Sequence, residues 1–175
     1  MTRPLVVLAA FVTALAAVPS ASAGEAPTVA YARCADSPPQ RDVSAARERF
    51  GPLTFLGNWA GYAEWRNMEW LRDDRDGTNY AKNPMYARRG TVATLSIGPA
   101  YRAAADFVYG RGPNGSHARS DIVRIRACPH RNSFYSGGLV VTRPTCVRID
   151  VRERGSRRVH RKMVSINMGA NCPAR

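Results

Sequence analysis

Between Ser120 and Cys172 the chain alternates. In Ile122-Val-Arg-Ile-Arg126 the apolar Val123 and Ile125 take turns with Arg124 and Arg126, and in Val147-Arg-Ile-Asp-Val151 the valines and Ile149 take turns with Arg148 and Asp150. Side chains of an extended backbone switch faces at every residue, so this period of two predicts strands with one apolar and one charged face. Leu139-Val-Val141 and the stretch from about Val159 to Asn167 add two more strand candidates, and Cys128, Cys146 and Cys172 stand at strand ends. Strands of this kind bury their apolar edges only against a second layer. The fold class expected is therefore mainly β: an antiparallel β-sandwich, with one or two short helices in the N-terminal half and two disulfides.

The N-terminal end reads differently. Arg3 precedes an apolar run from Leu5 to Val18, then Pro19 and the small-residue triplet Ala21-Ser-Ala23. This is the pattern of a secretory signal over residues 1–23, and the run is short for a membrane core of ~30 Å. The expectation is a secreted chain beginning at Gly24, with an extended arm over 24–41 and a single β-rich domain over 42–175, and with no transmembrane segment after signal cleavage.

All four cysteines, Cys34, Cys128, Cys146 and Cys172, fall in that mature part. An even number in an oxidising compartment predicts two disulfides with three pairings open. If the strands of the alternating region ran as an up-and-down meander, Cys128 would lie at one end of the sheet and Cys146 with Cys172 at the other. That favours Cys34 with Cys128 and Cys146 with Cys172, unless a strand changes sheets. No pair has the C-x-x-C spacing of a zinc site, and no cofactor or metal is expected.

Charge is unevenly placed. The chain holds 26 basic and 13 acidic residues, yet Gly24 to Gly110 carries 11 basic and 10 acidic residues while Arg111 to Arg175 carries 14 and 3. The excess sits on the alternating strands. Arg124, Arg126, Arg148 and Arg152 are expected on one outward face, extended by Arg157, Arg158, Arg161 and Lys162. Such a face attracts polyanions, and the export signal points to an anionic cell-envelope polymer or lipid surface rather than to intracellular nucleic acid. The other reading is a solvated arginine face whose edge charges deter sheet-to-sheet aggregation.

The N-terminal half is less regular. Val43, Ala46, Arg47 and Phe50 have helical spacing before Gly51-Pro52, which predicts a short helix, and Leu53 to Leu56 suits a short strand. Thr91 to Ile97 is a clear strand candidate, Tyr101 to Ala105 a helical turn and Asp106 to Tyr109 another strand. Asp73 to Asn83 reads as a polar, turn-rich loop. Its Asp74, Asp76 and Gly77 resemble part of a calcium loop, but Arg72 and Asn83 stand where the outer ligands belong.

Catalytic patterns are thin. Trp59, Trp65 and Trp70, near Tyr62, suggest either core packing or a platform on which sugar rings stack, and Glu64 and Glu69 beside them are the carboxylates a glycan-acting enzyme would use. Ser136, His117 and Asp121 appear in an order a hydrolase triad can adopt, without the G-x-S-x-G elbow. The three histidines form no H-E-x-x-H motif.

Four segments, Arg126-Ala-Cys128-Pro129, Phe134-Tyr-Ser-Gly-Gly138-Leu-Val-Val, Arg143-Pro144-Thr-Cys146-Val and the closing Cys172, carry a resemblance. Over roughly Gly90 to Cys172 the chain resembles small secreted proteins of unknown function from high-GC Gram-positive bacteria. The resemblance implies an exported β domain with cysteines at strand ends and nothing catalytic. The leading functional expectation is a non-enzymatic binding or envelope-associated module with a basic sheet face. The alternatives are a glycan-acting enzyme using Glu64 or Glu69, and a secreted protease inhibitor.

Overall fold

The computed structural model describes residues 26–38, 48–57, 59, 72–73, 78–112, 118–166 and 172, and over them the chain is mainly β. Strands β1 (Val29–Arg33), β2 (Glu48–Phe50), β3 (Leu53–Phe55), β4 (Arg72–Asp73), β5 (Thr78–Lys82), β6 (Met85–Ala87) and β7 (Val92–Ile97) occupy the first part. They are followed by β8 (Ala105–Phe107), β9 (Ile122–Arg126), β10 (Ser133–Tyr135), β11 (Gly138–Val141), β12 (Thr145–Glu153) and β13 (Val159–Ile166). Among the described residues the helical pieces are 3-10 turns, at Cys34–Asp36 and Pro99–Tyr101.

The alternating segments build one five-stranded sheet in the order β1-β9-β7-β12-β13. Strand β7 is antiparallel to both neighbours, with Leu95 opposite Val123 on β9 and Val151 on β12. Strand β1 lies parallel to β9 along the edge, from Val29 opposite Ile122 to Arg33 opposite Arg126. Ala30 and Ala32, Val123 and Ile125, Leu95 and Ile97, Val147, Ile149 and Val151, and Val164 and Ile166 are all buried on the inner face. Each larger aliphatic among them contributes about 1.5 to 3 kcal/mol by leaving water.

A second layer covers that face. It consists of two four-stranded sheets, β10-β6-β3-β2 and β4-β5-β11-β8, whose Leu53, Phe55, Met85, Phe107, Leu139 and Val141 join the same hydrophobic cluster as the inner face of the first sheet. The two sheets share bent strands. β5 runs almost directly into β6, and β10 into β11, with β5 paired to β11 and β6 to β10. At the bend Asn83 is fully buried: its N–H donates to the Gly137 carbonyl (2.9 Å), its side-chain Oδ1 accepts from Gly57 N–H (2.8 Å) and its carbonyl accepts from the Tyr109 hydroxyl. Gly138 admits the close approach, since a Cβ there would lie 2.1 Å from the Ala81 carbonyl oxygen.

Several expectations are corrected. The alternating strands are not a meander, because β7 inserts between β9 and β12, and Leu139 to Val141 belongs to the second layer. The disulfide pairing inferred from a meander is nevertheless the observed one, Cys34–Cys128 and Cys146–Cys172. The helix expected to end at Phe50 gives way there to a strand, since Glu48 to Phe50 pairs with Leu53 to Phe55 through a turn at Gly51-Pro52; Val43, Ala46 and Arg47 lie outside the described residues. Within the loop expected from Asp73 to Asn83, residues 78–82 form β5. The N-terminal arm is extended and pinned by Cys34, yet part of it is also a full sheet strand. Residues 1–23, where a signal is expected, lie outside the described residues.

Each disulfide joins places already close in the sheet. Cys34 follows β1 and Cys128 follows β9, two parallel neighbours, while Cys146 on β12 reaches Cys172 beyond β13. The first bond spans 94 residues and the second 26. Removing Cys34 and Cys128 together, as alanines, is expected to lower unfolding free energy by about 4.5 kcal/mol, and removing the second pair by about 3.5 kcal/mol. Urea denaturation followed by tryptophan fluorescence measures both. A loss under about 1 kcal/mol for either pair would show that the bond does not constrain the unfolded chain.

A candidate anion-binding groove

The outer face of the five-stranded sheet is shaped by its middle strand. Val92, Thr94 and Ser96 are the outward residues of β7, all short, whereas the flanking strands present Arg124 and Arg126 on one side and Arg152 on the other. Short residues between long ones leave a trough. It encloses about 1070 Å³ and is lined by six arginines, Arg33, Arg124, Arg126, Arg152, Arg154 and Arg157, with Glu153 as its one acidic residue. Tyr31 lies along the β1 edge, where the Arg33 guanidinium stacks 5.1 Å from its ring centre. The 3-10 turn, through Cys34 and Ala35, and the β12–β13 hairpin, through Gly155 and Ser156, flank its Val92 end from either side. Gly155 sits there at φ 82°, a conformation that favours glycine.

The register makes these charges costly to assemble. Arg33 stands directly opposite Arg126 on adjacent strands, and Arg124 and Arg152 both flank Thr94. Like charges placed across a sheet repel. At the far end the balance changes: Asp150 lies opposite Arg161 and is ion-paired with Arg148, whose Nε is 3.2 Å from Oδ1. Basic character is thus concentrated toward the Val92 end of β7.

Of the residues marked out by the sequence, Arg124, Arg126, Arg152 and Arg157 line the groove together. Arg148 and Arg161 share the outer face but flank Asp150, and Arg158 is an exposed turn residue. Lys162 is on the opposite face. Its ammonium is ion-paired with Glu48, whose other oxygen accepts the Trp59 N–H (2.9 Å), and burial pushes the Lys162 pKa down. The sequence reasoning missed Arg33, Arg154 and Tyr31. Ala30 and Ala32 alternate with Val29, Tyr31 and Arg33 and were the available signal, a weak one because alanine marks no face.

The other candidates part company in space. Trp59 is 1% exposed and packs edge-on against Phe55, so it is core and offers no stacking surface; Trp65, Trp70, Glu64 and Glu69 lie outside the described residues. Ser136 is exposed, while Asp121 is buried at the start of β9, its carboxylate accepting from the Thr28 N–H (2.8 Å) and hydroxyl (3.0 Å). Asp74, Asp76 and Gly77, the calcium-like part of the loop, lie outside the described residues. Among the described residues no three His, Cys, Asp or Glu side chains gather as a metal site, and no helix is long and apolar enough to cross a membrane.

One carboxyl is electrostatically displaced. Burial first, then the negative Asp121, push Asp106 on β8 above its ordinary pKa of 3.8, with Arg119 pulling it down. Folding therefore tightens its hold on a proton. The corresponding stability is complete below the unfolded value and is lost as pH rises through the folded one. Asp106→Asn removes this titration, so the variant is expected to melt above the parent at pH 7 and level with it near about pH 3. Thermal unfolding at the two pH values decides; a variant that melts lower at pH 7 contradicts the assignment.

Compared with family models, with curated proteins and with solved structures, the chain matches none.

Proposed function

We propose that this is a non-enzymatic, exported binding module that holds an anionic polymer or surface of the cell envelope in the arginine groove of its five-stranded sheet. The observation that carries the reading is the direct opposition of Arg33 and Arg126 within a trough of six arginines. Like charges held this close are stabilised when an anion lies between them, and guanidinium groups suit phosphate and carboxylate through paired hydrogen bonds. Secretion belongs to the same proposal. Its supports are the N-terminal signal pattern and the two disulfides, which persist in oxidising compartments. The resemblance to small secreted proteins of high-GC Gram-positive bacteria points the same way.

Sedimentation with isolated cell envelope tests the reading. The protein is expected to pellet at low ionic strength and to be released near 1 M salt, where the screening length falls to about 3 Å. Arg124→Gln combined with Arg152→Gln should lower retention and reduce the slope of log affinity against log salt by about 2. Retention unchanged in high salt, or absent at low salt, defeats the proposal.

A further inference from the structure

A second cavity, of about 540 Å³, opens between the two layers. Arg49 on β2, Arg88 after β6, Thr91, Glu153 and His160 line it, with Gly51 at its rim. His160 is fixed there edge-on against Phe50, and a Cβ at Gly51 would lie 2.8 Å from the imidazole. Arg49 and Arg88 are both exposed, and neither is ion-paired among the described residues.

Two features join this cavity to the groove. Glu153 lines both. Thr91, in the cavity, immediately precedes Val92, in the groove, so the two open at the same end of β7 on opposite faces of the sheet. The groove arginines converge at this same end, whereas near Ser96 Asp150 offsets Arg148, so a polyanion is held toward the Val92 end.

We propose that the Arg49–Arg88–His160 cavity is a second subsite for the polyanion bound in the groove, and that this polyanion is a single-stranded phosphodiester chain crossing Glu153 from one to the other. The inference rests on the reading of the groove given above. Spacing selects the chemistry. Arg124 and Arg126 are two residues apart on one strand face, about 7 Å, close to the separation of successive phosphates in a drawn-out phosphodiester chain. The walls on β9 and β12 lie two strand spacings apart, about 10 Å, which admits one chain above the short residues of β7 and excludes a double helix. The groove takes in Val92 to Thr94 of β7, about 10 Å of strand and room for about two phosphates, so a longer chain extends beyond it and, at the Val92 end, reaches Arg49 and Arg88. Glu153 repels it at the crossing.

Fluorescence anisotropy of the full-length mature protein tests this, with labelled oligothymidylates of about four and about sixteen nucleotides, poly(glycerol phosphate) chains of the same two lengths, and a duplex of the longer oligonucleotide. Arg49→Gln with Arg88→Gln is expected to weaken the long probes about 5- to 10-fold and to leave the short ones within about 2-fold, while Glu153→Gln strengthens the long probes about 2- to 3-fold. Arg124→Gln with Arg152→Gln weakens both lengths. If that groove pair changes nothing, the groove reading itself fails. If the groove pair acts but the Arg49/Arg88 pair leaves the long probes unchanged, or weakens short and long equally, the second subsite is wrong and the groove stands. Tighter binding of the duplex than of the single strand, or binding of only one of the two phosphodiester chemistries, overturns the identification of the ligand.

Discussion

Strand β7 holds the architecture together because its two faces do opposite things. Inward, Ala93, Leu95 and Ile97 are buried in the common core. Outward, Val92, Thr94 and Ser96 are short, and the strands on either side supply arginines. Exchange the faces and both features vanish together, since a slip of one residue would turn Leu95 to water and Thr94 to the core. The register of a single central strand therefore fixes the apolar seam and the shape of the groove at once.

Charge on the outer face is arranged as a gradient. Near Ser96, Asp150 offsets Arg148 and Arg161, and the surface approaches local neutrality. Near Val92 the arginines from β1, β9, β12 and the β12–β13 hairpin converge against Glu153 alone. Arginine suits this crowding better than lysine does, because its planar, weakly hydrated cation can stack, as Arg33 does on Tyr31. The aromatic ring under Arg33 spreads its charge and holds the side chain along the rim.

Alternation made the faces of β7, β9 and β12 legible, and with them three of the groove arginines, Arg124, Arg126 and Arg152, whereas on β13 it misplaced Lys162. It left the neighbours open. A period of two reports which side of a strand is buried and nothing about which strand lies beside it, so the insertion of β7 between β9 and β12 and the transfer of β11 to the second layer were invisible. Strand β1 was hidden for another reason: its inward residues are Ala30 and Ala32, too small to mark a face, and its parallel partner is far away in sequence. Phe50 illustrates the reverse error, where helical spacing of apolar residues was overruled by a turn at Gly51 and pairing with β3. Trp59 was ambiguous because a tryptophan serves as well in a core as on a platform, and only its 1% exposure distinguishes them.

Strand β1 and strand β9 are separated by 94 residues at their joining cysteines, and this has a kinetic meaning. Contacts between distant parts of a chain must first overcome the entropy of closing the intervening loop, whereas the β12–β13 hairpin closes locally. The edge bearing Tyr31 and Arg33 therefore carries the largest loop-closure cost of any pairing in the five-stranded sheet, and the rim of the groove depends on meeting it.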